Sequence, residues 1–328
     1  MAGPHCGTKL DGMNKLVVIG LGHVGSYVLS YAMASGLYAE IATIDTKPGV
    51  ALGEAVDLAQ ATGVPGTTNT YCHEGTYADC ADADVIICAA GESIVPDPND
   101  PTRMPDRSEL AQISGAVIRD VMTNITANVG ENPPVLILIT NPLDAMVHIA
   151  ATEFGYPKVF GTGTMLDSAR LRYIIGTELG IDPKSVTGYM MGEHGSTSVP
   201  ILSQVNVQGL RWEELEAWHG KPLPTAPEMQ EKVVRAAYDV LLSKGWTNAG
   251  VARSANELAK CVLLNERAVH PICTPLHGEY GLEDVSLSVP TEITHEGAGR
   301  KMLPQLNEWE LEQLHKSAEF IRETVRKA

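Results

Sequence analysis

Residues 15–45 read KLVVIGLGHVGSYVLSYAMASGLYAEIATID, and the order of residue types in this stretch decides the fold. Lys15 to Gly20 is an apolar run of strand length that leads directly into Gly20-Leu21-Gly22-His23-Val24-Gly25. A helical pattern follows from Ser26 to about Ser35, and a second short strand, Glu40 to Ile44, ends on Asp45. Strand, glycine-rich turn, helix, strand and terminal acid together have the spacing of a dinucleotide fingerprint. Gly20 serves the turn, Gly22 allows close approach of a pyrophosphate, and Gly25 lets helix pack on strand, with His23 and Val24 in the same cofactor-contact segment. The free amides and dipole of the helix N-terminus favour the anion. Asp45, which lies 20 residues beyond Gly25, is placed to accept the adenosine ribose hydroxyls. Its charge repels a 2′-phosphate and so favours NAD over NADP, a preference that the nearby Lys47 weakens.

Working outward, strands and helices alternate: Val50 to Ala61 reads as helix, Asp84 to Ala90 as strand, Glu109 to Val129 as helix and Val135 to Thr140 as strand. Near-continuous apolar strands in such alternation predict a parallel sheet covered on both faces, an α/β Rossmann doubly wound architecture. Ligands bind such sheets at the carboxyl ends of the strands. One strand ends in Ala89-Ala90-Gly91, where glycine permits close passage of the cofactor, and another in Asn141-Pro142. Beyond about Val159 the pattern changes to helices at Asp167–Leu179, Trp212–Trp218 and Glu228–Leu263, with antiparallel strands at Ser185–Met190, Ala268–Pro275 and Val285–Glu292. A last helix, Glu308–Arg326, carries an apolar face of Leu311, Leu314, Ala318 and Ile321. The expected division is a flexible extension over 1–13, an NAD-binding Rossmann domain over 14–161 and an α+β substrate domain over 162–328.

Composition narrows the function. A chain of 328 residues with 44% apolar content and a mean hydropathy of −0.03 is long enough for two cores. Its formal charge of −16, with no basic stripe to offset it, excludes nucleic acid and anionic membranes as partners. Six cysteines, Cys6, Cys72, Cys80, Cys88, Cys261 and Cys273, have no CxxC spacing, so neither a metal site nor a disulfide framework is expected. Reduced thiols, no signal-like N-terminal segment and no apolar run near ~20 residues point to a cytoplasmic protein.

The chemistry concentrates in residues 161–195, GTGTMLDSARLRYIIGTELGIDPKSVTGYMMGEHG. On a helix from Leu166 to Leu179, Asp167 and Arg170 stand at i and i+3 and share a face. Taken alone they read first as a surface ion pair of about 0.3 kcal/mol. His194 lies within Gly192-Glu193-His194-Gly195, where glycines let ligand and backbone approach one imidazole. An aspartate orienting one histidine nitrogen is an acid/base pair, and an arginine one turn away is a bidentate carboxylate clamp. Together they point to proton transfer on a carboxylate-bearing substrate.

Leu166-Asp167-Ser168-Ala169-Arg170 and Gly192-Glu193-His194-Gly195 resemble the signature segments of the L-lactate/L-malate dehydrogenase superfamily. The resemblance runs from about Asn14 to the C-terminus, with L-2-hydroxyisocaproate dehydrogenases as the nearest branch. It implies reversible hydride transfer between NAD and an L-2-hydroxy acid and its 2-oxo acid, in a homodimer or homotetramer. Within it, Arg170 anchors the substrate carboxylate and His194, paired with Asp167, is the acid/base. Asn141 contacts substrate and nicotinamide side, and Arg107, followed by Leu110, polarises the substrate carbonyl. The stretch from Gly91 to Arg107 is rich in Pro and Asp and reads as a lid longer than the family norm. Arg103 is its malate-like candidate for a second carboxylate, although it stands nearer Arg107 than the family spacing requires. Ile94 and Val95 could line an apolar pocket instead. Thr247 matches a specificity position and favours a lactate-like or larger apolar side chain. Arg172 matches one residue of the family's sugar-bisphosphate effector site, but Thr187 replaces its histidine, so that effector is not expected. The rival readings are a malate dehydrogenase using Arg103, a non-catalytic NAD-binding protein and an NAD- and metal-dependent glycosidase. The second has no need of Arg107, Asp167, Arg170 and His194 together, and the third lacks Cys/His ligands.

Overall fold

The computed structural model describes residues 13–92 and 107–328. The first half runs β1 (Lys15–Ile19), α1 (His23–Ser35), β2 (Glu40–Ile44), α2 (Val50–Ala61), β3 (Tyr71–Glu74), β4 (Val85–Cys88), α3 (Arg107–Asn128), β5 (Val135–Leu138), α4 (Leu143–Thr152) and β6 (Val159–Gly161). The parallel strands lie in the order β6-β5-β4-β1-β2-β3, so direction reverses at β1, with β2 on one side and β4 on the other. This is the doubly wound order, and its crevice opens where the chain leaves β1 at Gly20 and β4 at Ala89.

Alternation along the strands explains the two layers. Leu16, Val18, Ile41, Val85 and Ile87 share one core with Val28 and Leu29 of α1. Val17, Ile19, Ile44, Ile86 and Cys88 face the other way, onto Ile118 and Met122 of α3 and Met146 of α4. With β1, β4 and β5 buried on both faces, an uninterrupted apolar run is the sequence they need.

The second half comprises α5 (Met165–Leu179), β7 (Val186–Thr187), β8 (Met190–Met191), β9 (Val199–Pro200), β10 (Asn206–Val207), β11 (Leu210–Arg211), α6 (Trp212–His219), α7 (Ala226–Lys244), α8 (Ala249–Leu263), β12 (Val269–His277), β13 (Glu283–Thr294), β14 (Gly297–Lys301) and α9 (Glu308–Lys327). The antiparallel strands β12, β13 and β14 do not form a separate sheet. They extend the parallel one through the pair Cys273↔Gly161, making nine strands among the described residues. Helix α8 packs against α1, placing Ala255, Leu258 and Val262 in the core beneath the first strands.

Three sequence expectations change, and one strand had no expectation. The helix expected over Glu228–Leu263 is two, α7 and α8, because Gly245 takes φ +86° and closes α7 with its N–H on the Leu241 carbonyl. The strand expected over Ser185–Met190 is broken: Val186–Thr187 pairs with β10 and Met190–Met191 with β9. β3 escaped the sequence reading because Tyr-Cys-His-Glu on a sheet edge is polar and half exposed, with no apolar run to announce it. On α9, Leu314, Ala318 and Ile321 are buried but Leu311 is exposed. Among the described residues no helix is long and apolar enough to cross a membrane.

Candidate active site

At the crevice, glycine is required at two of the three fingerprint positions. A Cβ on Gly20, whose φ is +85°, would collide with the backbone of Ala90, and one on Gly25 with the carbonyl oxygen of Gly20. At Gly22 a Cβ would meet nothing within 4 Å, so that position opens onto free space. Gly22 caps α1 without any side-chain hydrogen bond, which leaves the helix's first amides for an anion. Asp45 receives the backbone N–H of Leu21 at 2.7 Å on Oδ2 and that of Lys47 at 2.7 Å on Oδ1. Those two bonds fix the carboxylate at the end of β2, and each oxygen retains a lone pair for a hydroxyl donor.

Across the crevice, the ends of β4 and β5 are laced together. Thr140 donates to the Ala90 carbonyl at 2.6 Å, and a Cβ on Gly91 would stand 2.7 Å from Thr140 Cγ2. Asn141 is exposed there and precedes a cis bond to Pro142.

Helix α5 and the segment between β8 and β9 bring the charged residues together. Asp167 is buried, with its Oδ2 2.6 Å from His194 Nδ1 and its Oδ1 accepting Arg170 Nη1 at 2.9 Å. One carboxylate therefore faces two cationic side chains, and the surface ion-pair reading is overturned: side-chain exposure is 7% for Asp167 and 15% for Arg170. Burial pushes the Asp167 carboxyl up, but His194 and Arg170 outweigh it and hold the group below the ordinary carboxylate range. Burial likewise lowers the His194 imidazole, yet the Asp167 carboxylate prevails and holds it above its ordinary value. With Nδ1–H donating to Asp167, the other ring nitrogen, Nε2, has no hydrogen-bond partner among the described residues.

The histidine's backbone is pinned as well. His194 N–H donates to Asp144 Oδ2 at 2.8 Å, and Glu193 N–H to Ser317 Oγ at 2.7 Å. Gly192, at φ +86°, bridges to Ser288 through a reciprocal pair of backbone hydrogen bonds. Asp144 stands in the first turn of α4, just beyond Asn141-Pro142, so it ties the His194 segment to the carboxyl end of β5. Burial drives its carboxyl up to about 7, against the His194 amide and the Cys273 thiol that favour the anion, and Glu193 nearby adds to the rise.

Residues 14–161 match the lactate/malate dehydrogenase NAD-binding domain, and residues 164–328 match the alpha/beta C-terminal domain of the same enzymes. The chain belongs to the lactate/malate dehydrogenase family. It is 38% identical over 316 residues to L-lactate dehydrogenase 2 of Clostridium acetobutylicum, spanning 95% of this chain and 97% of that one. It is 36% identical to the L-lactate dehydrogenase of Selenomonas ruminantium, over 96% and 98% of the two chains. Among solved structures, the minor L-lactate dehydrogenase of Enterococcus mundtii superposes with a TM-score of 0.88 at 29% identity. The malate dehydrogenase of Cryptosporidium parvum superposes with 0.87 at 27%, and each comparison covers 96% of this chain and 98% of the other.

As a member of the lactate/malate dehydrogenase family the chain is an NAD-dependent 2-hydroxyacid dehydrogenase. The open Gly22, the uncapped α1 and the fixed Asp45 fit NAD. Of the other sequence candidates, Thr247 lies half-buried in the connection between α7 and α8. Arg103 and most of the Gly91–Arg107 stretch lie outside the described residues, as do Cys6 and nearly all of the N-terminal extension. Arg107 opens α3, and its side chain is outside them too. Arg172 donates to the Gly188 carbonyl at 3.0 Å, and Thr187 is an exposed strand residue. Asp144 was missed by the sequence reading; its signal is an acid in the stretch Leu143–Ala150, apolar but for Asp144 and His148, every residue of which is buried.

Proposed function

We propose that this enzyme interconverts an L-2-hydroxy acid of apolar side chain and its 2-oxo acid, with lactate and larger homologues such as L-2-hydroxyisocaproate as the class. The observation that carries the reading is the shared Asp167 carboxylate, which holds one acid/base group and one carboxylate clamp on a single buried anion. NAD, when bound, accepts or supplies the hydride. Arg170 keeps Nε and Nη2 for the substrate carboxylate, a two-point anchor that fixes C2. His194 gives a proton from Nε2 to the C2 oxygen as the 2-oxo acid is reduced, and takes it back in oxidation. Asp167 stabilises the imidazolium in the tautomer that this transfer needs. Arg107 balances the negative charge growing on the oxygen, and Asn141 contributes a hydrogen bond to it. Residues 14–161 serve as the cofactor domain and 162–328 as the substrate domain of a homodimer or homotetramer, whose subunit number sedimentation would give.

The preference for an apolar side chain is supported by Thr247 and by the L-lactate dehydrogenases among the relatives. The malate dehydrogenase among the structural neighbours favours a second reading, in which Arg103 binds a second carboxylate. Steady-state NADH oxidation with pyruvate, 4-methyl-2-oxopentanoate and oxaloacetate separates the two. A higher kcat/KM for either monocarboxylate is expected, and preference for oxaloacetate would overturn the apolar reading.

A further inference from the structure

The imidazole of His23 lies flat on the indole of Trp246, with ring centroids 3.9 Å apart and planes within 6°. The two residues are far apart in the sequence. His23 is the first residue of α1, inside the nucleotide loop, and Trp246 sits in the four-residue connection between α7 and α8, immediately before Thr247. The same connection is held from its other side. Asn248 caps α8 by accepting from the Ala249 amide, and it takes Lys244 Nζ at 2.7 Å. In the first turn of α8, a Cβ on Gly250 would stand 2.7 Å from the Leu166 side chain, next to Asp167 on α5. The connection thus spans from the nucleotide loop to the catalytic helix.

Trp246 is 39% exposed, so hydrophobic burial does not account for its position. A connection that follows a glycine at φ +86° has a loose hinge at one end, and a stacked pair restrains it at low entropic cost because each ring has only two torsions. We propose that Trp246 is a positioning residue: stacked on His23, it holds the α7–α8 connection, and with it Thr247, in register with the nucleotide loop so that the substrate pocket is complete. This rests on the proposed function for the pocket that Thr247 lines, but not for the stack itself.

The test uses the full-length protein and the variants Trp246→Ala, Trp246→Phe, His23→Ala and the double alanine variant. Trp246→Ala should raise KM for the preferred 2-oxo acid roughly three- to tenfold, as loss of an aromatic pair implies, with kcat within about twofold. Trp246→Phe should restore most of it. At saturating NADH, which removes any effect of His23 on cofactor binding, His23→Ala should give a similar rise in that KM, and the double variant no more than either single one, because both remove one contact. Amide hydrogen exchange over residues 245–250 should quicken alike in both single alanine variants. Unchanged KM in Trp246→Ala, or a double variant equal to the product of the singles, would overturn the proposal. If the unmodified protein reduces no 2-oxo acid, the proposed function fails instead, and the exchange measurement alone decides whether the stack restrains the connection.

Discussion

Two buried charge clusters stand at opposite edges of the same sheet, and they are built on opposite rules. At the amino-terminal edge, Lys15 Nζ lies 2.9 Å from Glu40, 3.1 Å from Asp79 and 2.8 Å from Asp82, while its backbone N–H donates to Asp84 at 2.7 Å. Three N–H donors meet three carboxylates, and although burial works against the ammonium, these partners hold its pKa well above the ordinary lysine value. His73 adds a contact to Glu40 at 3.0 Å. At the carboxyl edge the ratio is inverted: Asp167 serves both His194 and Arg170, and donors remain on each for something else. Burial and charge are common to both clusters, and among the described residues only the second keeps donors without a partner. That difference separates a structural tie from a reactive site. The same rule applies to the two clusters of ligand-type side chains: Glu40 and Asp79, which His73 contacts, hold the Lys15 ammonium, and Glu257, beside Cys261 and Glu266, holds Lys260 at 2.5 Å.

The sharpest way to break this contrast is to remove one cation from each cluster. His194→Ala should lower kcat by roughly 10²–10⁴ with NADH affinity nearly intact, and should lower the urea midpoint less than the lysine variant does, because Arg170 still pairs with Asp167. A variant with full turnover would end the acid/base role. Lys15→Met should do the reverse. Leaving three carboxylates without their ammonium costs about 3 kcal/mol, the low end for a broken buried pair because those acids are partly exposed, and kcat of the surviving folded enzyme should hold. A loss of turnover without loss of stability would place Lys15 in the reaction.

A smaller effect sharpens the electrostatics. The His194 imidazole is raised, so its protonated form, and the stabilisation its pairing gives, is complete below the unfolded value near 6.5 and is lost as pH rises through the higher folded value. Reduction of the 2-oxo acid should therefore be flat at low pH and fall on the alkaline side. In Asp167→Asn that fall should begin at lower pH, since the anion that favours imidazolium is gone; an unmoved profile would mean that another group titrates. The smallest change belongs to Asp45→Ala, which should narrow the preference for NADH over NADPH by about tenfold or less, read from the ratio of kcat/KM values.

Much of this was legible in the chain. Buried strands announce themselves as apolar runs, and two of the fingerprint glycines, Gly20 and Gly25, mark positions where any side chain collides, so β1, α1 and β2 could be read in order. The pairing of Asp167 with Arg170 followed from helical spacing alone. Its extension to His194 could only be suggested, because 27 residues and a change of element separate the partners. Asp144, Lys15 and Trp246 escaped for one shared reason: each acts through a contact between segments distant in sequence, 50 residues for Asp144 to His194 and more than 200 for Trp246 to His23. Neither propensity nor periodicity carries such information. The continuation of the parallel sheet into β12 through a single residue pair escaped similarly.

Five thiols, Cys72, Cys80, Cys88, Cys261 and Cys273, are unpaired and buried, and burial drives them up, to about 11 for Cys72 and Cys88 and about 12 for Cys80 and Cys261. A thiol of that kind reacts with an alkylating reagent only when its surroundings open. They occupy the edge strand β3, the turn before β4, the end of β4, the last turns of α8, and β12 beside the parallel strands. The native sequence thus carries its own set of labelling clocks. In iodoacetamide with subdenaturing urea, followed by mass spectrometry, Cys72 on the edge strand should be modified before Cys88 and Cys273; simultaneous labelling of all five would show that the nine-stranded sheet opens as one unit.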